Sequence, residues 1–477
     1  GQAGAPAGSW DDFAPGGFES ELGAGWNGSD LDAGGDALAV GSDFAPTPDL
    51  RNKVDYVAWY EQNCLVPDDQ NAYHSYAAML DGVQNRPDGL LSDRYNDRTE
   101  YGPPEPWNPA DYPTWEASYQ ATQGLIQQFR EGSQDPRGYS SPVIFSDEWP
   151  ESERTLIAYL LPSLAGFRAV TKATLSQAWR SEDGTVPPQQ MRDALQTCLG
   201  NAVHLQGGAT LIERLVSIAE RSLTEENARW ALHRGVFPSA GEIETTFNLL
   251  RERDTADPDP AGWVKSEHAC AMDLTQYLFE PTEPGGQPQL RPDRLEKIIG
   301  MTITENDETK QKLRNLTAED AKDAIQHYNT YYAKLDSLVK NSWPGALPEN
   351  PDVLAEQIND KNALAGMILP SLNRAYELMR RTEAQRRATQ VIYSVELFRA
   401  RHGRYPGSLN ELPYEEVQDL RTDPFSGQDF AYRVTDTGAM LYSVASDGRD
   451  DGGVHARTWE DGGKPADHVF WPPQPSR

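Results

Sequence analysis

Leu441-Tyr442-Ser443-Val444-Ala445-Ser446-Asp447-Gly448-Arg449-Asp450-Asp451-Gly452-Gly453 is the stretch whose reading decides the fold. With Met440 its first residues read as a strand, and its last gather aspartates and glycines in a loop. Just upstream, Phe430-Ala431-Tyr432-Arg433-Val434 reads as a second strand, and Asp436-Thr437-Gly438 can turn one into the other. Further back, Ala384, Ala388, Val391, Val395 and Phe398 recur at alternating spacings of four and three, a narrow apolar seam on a long helix. Gly403 and Pro406 end that helix, Leu409 and Leu412 pack a short turn, and Asp423-Pro424 opens the loop into the first strand. The sum is a helix packed on a small antiparallel sheet.

The loop after the second strand concentrates Asp447, Asp450 and Asp451 around Gly448, Gly452 and Gly453. Carboxylates held this close repel one another unless a cation or solvent intervenes, and glycines let backbone carbonyls turn inward. Calcium takes such mixed oxygen ligands, about six to eight of them. The spacing departs from an EF-hand loop. On the residues alone, a solvated acidic turn and a calcium site account for the run equally well.

Outward from this module, composition narrows the rest. A chain of 477 residues exceeds one ordinary core, so two or more domains are expected. Lys and Arg total 43 against 73 Asp and Glu, a formal charge of -30 that repels phosphate backbones and disfavours nucleic acid unless folding hides a basic patch. Three scattered cysteines, Cys64, Cys198 and Cys270, form no CxxC pair and argue against a disulfide scaffold or structural zinc. No segment approaches the roughly 20 apolar residues of a membrane span. Gly1 at the start fits a processed or trimmed product, and a removed signal peptide or membrane anchor would be consistent with it.

Residues 1–48 are rich in Gly, Ala, Asp and Ser and read as a flexible arm, with Trp10, Phe13, Phe18, Trp26 and Phe44 as spaced anchors for a partner or for the protein's own body. Residues 49–378 read as a helical body. Leu156, Leu160, Leu164 and Phe167 share a face, with Pro162 bending that helix or marking its first turn. Residues 189–199, 210–222 and 228–233 read as short helices, and Ser239 with Glu242 as a capping box for a helix through Leu250. Further helices are expected over 265–279, 318–339 and 353–402, and strand-like alternation is almost absent before Phe430. Leu-Pro-Ser-Leu occurs at 161–164 and again at 369–372, each inside a helical pattern. The fold class is therefore mainly α: a multi-helix body followed by a small α+β domain over 379–477.

Catalytic motifs are scarce. There is no GxSxG elbow, HExxH helix or Walker A loop. Glu267-His268-Ala269-Cys270 gives His268 no ligand three or four residues further on, so that cluster reads as structural. Asp147-Glu148 and Glu151 with Glu153 read as a solvated loop into a helix rather than a glycosidase pair, beside a Trp149 that could stack on a sugar.

From about Arg387 to Pro473 the chain resembles the C-terminal domain of the major pseudopilin of type II secretion systems. The long helix, Tyr405-Pro406, Leu409 with Leu412, Asp423-Pro424-Phe425-Ser426-Gly427, Tyr432 and Tyr442-Ser443-Val444 leading to Asp447-Gly448 carry the likeness. The resemblance implies a calcium loop with Asp447 and Asp467 as side-chain ligands, Asp450 or Asp451 joining them, and a backbone carbonyl from Leu441 or Ser443. Residues 454–466 lengthen this loop relative to the family. The family's apolar stem has its nearest echo in Leu211-Ile212-Glu213-Arg214-Leu215-Val216, which Arg214 breaks.

Asp55 with Trp59, Pro67 with Asn71-Ala72, Leu161-Pro162 with Arg168, Leu211-Ile212 with Leu215-Val216, and Leu369-Pro370 also resemble large envelope proteins of planctomycete-type bacteria that join a helical body to such an end. That likeness implies export to the periplasm, cell envelope or exterior. The function expected is a non-enzymatic structural or assembly protein with a calcium-stabilised module, engaging protein partners or itself. Two alternatives stand beside it: an accessory docking component of a pilus-like or type II secretion apparatus, and an envelope enzyme acting on glycan or peptide.

Overall fold

Several helices start where the sequence supplies a side chain to hold their first amides. Thr210 accepts the Glu213 amide at 3.1 Å while Glu213 accepts the Thr210 amide at 2.9 Å, a reciprocal cap that Thr317 and Asp320 repeat. Ser239 accepts the Glu242 amide at 3.3 Å, but the Glu242 carboxylate turns to Arg192 instead of back to its own cap. Pro162 stands at the N-cap of its helix, the first of the two roles expected of it being unused.

The computed structural model describes residues 44–84, 104–147, 149–283, 286–302, 307–347, 353, 355, 357–358, 361–369, 372–461 and 464–474. Its helices are α1 (Tyr56–Asn63), α2 (Tyr73–Gln84), α3 (Pro113–Ser133), α4 (Ser163–Ala178), α5 (Pro188–Gln206), α6 (Leu211–His233), α7 (Ala240–Arg253) and α8 (Val264–Leu278). A short hairpin, β1 (Phe279–Pro281) and β2 (Pro288–Leu290), precedes α9 (Pro292–Thr302), α10 (Asp307–Arg314), α11 (Ala318–Ser342), α12 (Ala363–Ile368) and the long α13 (Leu372–His402). The C-terminal region holds β3 (Ala431–Thr435), β4 (Gly438–Ser443), β5 (Glu460–Asp461), β6 (Lys464–Pro465) and β7 (His468–Trp471). The protein is mainly helical, with a small antiparallel sheet in its C-terminal region.

Apolar side chains collect in two cores. One unites α2 to α7 with α13 and the C-terminal sheet, through Phe129, Phe167, Leu195, Val391, Tyr393 and Phe470. The other unites the segment from Ala45, α1 and α8 to α12 through Tyr60, Trp263, Tyr328 and Tyr332. Tyr376, near the start of α13, belongs to the second core, whereas Ala384 to Leu397 belong to the first. One helix thus threads both cores. Each such fully buried side chain contributes roughly 1.5–3 kcal/mol by leaving water.

The seam between α13 and the body is partly ionic. Arg386 forks onto Glu383, Nε to Oε2 and Nη2 to Oε1 both at 2.8 Å, with both side chains buried. Arg221 Nη1 lies 3.1 Å from the Asp254 carboxylate, Arg229 donates to Thr389 Oγ1 at 2.6 Å, and Gln390 donates to the Asp254 carbonyl at 3.0 Å. Burial first, and Asp254 second, push the Glu225 carboxyl well above the carboxylate range. Charges buried this way fix an arrangement more than they add stability.

Several expectations change here. The stretches 210–222 and 228–233 form a single helix, because the polar run between them is buried: Thr224, Glu225 and Asn227 are inaccessible to solvent. The hairpin β1–β2 lies in a region that showed no alternation, its strands being three residues each and too short for a period. The pattern over 353–402 divides, with α12 ending at Ile368 and α13 beginning at Leu372. The first Leu-Pro-Ser-Leu run therefore stands at a helix start, not inside a helix, and residues 370 and 371 of the second lie outside the described residues.

Of the expected arm, residues 1–43 lie outside the described residues, Trp10, Phe13, Phe18 and Trp26 among them. The last few of its 48 residues pack on the body. Phe44 meets the His268 ring edge-on at 5.0 Å, Ala45 is buried, and Tyr56 Oη donates to the Pro46 carbonyl at 2.6 Å. No helix among the described residues is long and apolar enough to cross a membrane.

Candidate functional site

Strand β4 lies between β3 and β7 in the C-terminal sheet. Tyr432 and Trp471 flank Leu441, and His468 pairs with Ser443. The loop leaving β4 must return to β7 beside it, so its two ends meet. Gly452 and Gly453, at φ 78° and 72°, make the inward turn. A Cβ on Gly453 would stand 2.8 Å from Met440 Sδ, so no other residue fits there without a shift.

Asp467 closes the loop from the far side. Its Oδ2 accepts the Gly453 amide at 2.8 Å. Its Oδ1 is buried and has no hydrogen-bond partner among the described residues. Burial pushes this carboxyl above its usual range, the Gly453 amide opposes that, and the charges of Asp450 and Asp451 push it further up. The Asp451 amide also faces the carboxylate and favours its charged form.

Asp450 accepts from Tyr442 Oη at 2.7 Å and from the Gly452 amide at 2.9 Å, which hold its carboxyl below the usual range. Arg433 donates to the Gly452 carbonyl, with its guanidinium 5.7 Å from the Tyr442 ring centroid, and so places a fixed positive charge on one flank. The structure thus gathers Asp450, Asp451 and Asp467 around one turn.

The other sequence-expected ligands are placed differently. Asp447 is exposed and accepts the Arg449 amide of its own turn at 3.1 Å. Leu441 is buried within the sheet ladder. Ser443 donates its hydroxyl to Asp423 Oδ2 at 2.8 Å and accepts the Ala445 amide at 3.1 Å. Among the described residues no three His, Cys, Asp or Glu side chains form a ready-made metal cage.

Asp423 is the anchor that the sequence reading left out of the site. Its Oδ1 accepts the Phe425 amide at 2.9 Å while Oδ2 takes the Ser443 hydroxyl, tying the Asp-Pro turn to the strand that feeds the acidic loop. Arg380 and Arg387 on α13 donate to the Pro424 and Thr422 carbonyls at 3.1 and 2.9 Å. The signal was present as Asp423-Pro424, read as a turn and not as a support.

Elsewhere, His268 is buried, its Nε2 is 2.9 Å from Asn329 Oδ1, and burial pushes its imidazole down to about 4. Burial pushes Glu267 up to about 7. Trp149 is buried beneath Lys297, whose Nζ sits 3.5 Å from its ring centroid, so this indole has no open face for a sugar. Glu148 lies outside the described residues, and Glu153 lies 3.7 Å from Lys297. All three cysteines are free thiols.

Compared with protein-family models, curated proteins and solved structures, the chain matches none.

Proposed function

We propose that this chain is an exported, non-catalytic structural or assembly protein whose pseudopilin-like C-terminal module closes its acidic loop on a calcium ion. The observation that carries this is Asp467 Oδ1, a buried carboxylate oxygen without a hydrogen-bond partner among the described residues, beside Asp450 and Asp451. A buried unpaired carboxylate oxygen is costly, and a second and third negative charge nearby increase the cost. A hard cation with oxygen ligands offsets both.

Asp467 would hold the ion, with Asp450 and Asp451 completing the acidic side. Asp447 and the carbonyls near Leu441 and Ser443 remain subsidiary donors, since Asp447 already caps its own turn and the Ser443 hydroxyl is committed to Asp423. Such an ion supplies charge and cross-linking, not chemistry. It stabilises the folded module by mass action. The test is calorimetric melting of the full chain with calcium and with a chelator. A transition that ignores both would refute the ion.

One observation favours a second reading as a docking component of a pilus-like or secretion apparatus. The outer edge of β3 pairs with no strand among the described residues, and Val434 on it is 49% exposed. Co-purification with pilin-like proteins would support this reading, and recovery only as a lone monomer from envelope extracts would oppose it.

A further inference from the structure

A cavity of about 270 Å³ opens between the segment holding Arg51 and Lys53, the loop at Arg154, the C-terminal end of α8 and the start of α9. Its surroundings run against the charge of the chain. Arg51 Nη2 donates to Gln287 Oε1 at 3.2 Å, Lys53 Nζ donates to the Ser152 carbonyl at 3.4 Å, and the Arg154 guanidinium lies 5.3 Å from the Phe145 ring centroid. Among the described residues none of these three cations forms a salt bridge within 4 Å, although the Lys53 charge acts on the buried Asp273 carboxyl and favours its charged form. Arg294, the fourth cation of the lining, is matched by Glu280 at 2.5 Å, and Glu283 lies exposed at the rim.

The wall is held, not loose. Gln276 on α8 accepts the Val54 amide at 2.7 Å and donates to the Val54 carbonyl at 2.8 Å, clamping the segment that carries Arg51 and Lys53. Asp273, also lining the cavity, is buried and accepts the Leu156 amide at 2.6 Å, which fixes the loop that carries Arg154. Two helix-anchored polar side chains therefore set the spacing of the three cations.

In a chain with 43 basic and 73 acidic residues, three cations round one concavity, hydrogen-bonded to or stacked on neutral groups and with Lys53 also facing the charge of Asp273, point to an anion site. The volume decides the size of ligand. At about 270 Å³ it falls just below the roughly 300–1,000 Å³ of drug-sized pockets and suits a small molecule. Guanidinium forks suit planar or tetrahedral oxyanions, and the ammonium adds a point charge.

We propose that this cavity binds a small oxyanion, its charged head held by Arg51, Lys53 and Arg154. The chemistry is shared by phosphate and carboxylate heads, and the experiment separates them. Full-length protein is titrated calorimetrically with sodium phosphate and with sodium acetate at constant ionic strength, alongside K53Q and R154Q. Both substituted side chains are exposed, so the variants keep their fold, which an unchanged melting curve verifies. The expected result is saturable one-to-one binding of one anion, weakened about tenfold in each variant. Preference for phosphate assigns a phosphate head, and preference for acetate a carboxylate. Absence of saturable binding of either anion, or equal binding by the wild type and both variants, overturns the proposal.

Discussion

Tyr393 on α13 donates its hydroxyl to the backbone carbonyl of Ala228 on α6 at 2.9 Å, joining residues 165 positions apart inside the core that the body and the C-terminal sheet share. Removing only the hydroxyl, Tyr393→Phe, should cost about 1 kcal/mol, the net worth of a typical buried hydrogen bond. Tyr393→Ala should cost about 3–5 kcal/mol by leaving a large cavity. Chemical denaturation followed by helical signal and by tryptophan fluorescence should show both probes shifting together. A variant in which only one probe moves would mean that the two parts unfold separately.

Glu220 gives a pH test with a definite sign. Burial raises its carboxyl from 4.5 to about 8, against the opposing pull of Thr171 and Arg168. The folded chain therefore keeps a proton that the unfolded chain gives up above about pH 4.5, so stability falls as pH rises through that window and levels off above about 8. Glu220→Gln should abolish this slope. The gain in stability over wild type should be small at pH 5 and grow to a few kcal/mol, in order of magnitude, by pH 8. Melting temperatures measured from pH 5 to 9 decide it, and a difference that does not change with pH would contradict the assignment.

The acidic loop makes opposite predictions for two aspartates. Asp467→Asn should remove the calcium-dependent rise in melting temperature, whereas Asp447→Asn should keep most of it, because Asp447 serves only its own turn. At a free calcium concentration a hundred times the dissociation constant, the wild-type gain should be about 2.7 kcal/mol. The reverse ranking would restore Asp447 as the principal ligand.

Gly453→Ala tests the turn itself. The added methyl meets Met440 Sδ at 2.8 Å and Tyr442 Cε1 at 3.2 Å on a backbone with φ of 72°, so a loss of about 1–3 kcal/mol is expected. Gly448→Ala, with nothing within 4 Å but a φ of 65°, should cost about 1–2 kcal/mol from strain alone. Equal losses would show that the space behind Gly453 has no role.

Much of this fold could be read from residue order because helices announce themselves twice, by an apolar period and by a capping side chain. Ser239 reads as the cap that it is, and the hairpin at Asp436-Thr437-Gly438 follows from its turn residues, while the cap at Thr210 went unread. What escaped was whatever breaks the surface rule for charge. The run between 222 and 228 reads as a gap between two helices, yet Thr224, Glu225 and Asn227 in it are buried, and no local pattern marks a carboxylate whose partners stand on distant elements. The acidic loop was legible as a place and not as a geometry. Its spacing could not say that Asp450 would turn to Tyr442 while Asp447 faced solvent, since both choices depend on how the returning strand lies.

The passage of α13 through both cores has a mechanical consequence. A force applied to the C-terminal strands is not taken up by a hinge; it runs along that helix, through Tyr393 into α6 and through Tyr376 into the neighbouring core. The end piece thus behaves as a keystone, not as a tethered hook. Whatever grips it grips both cores.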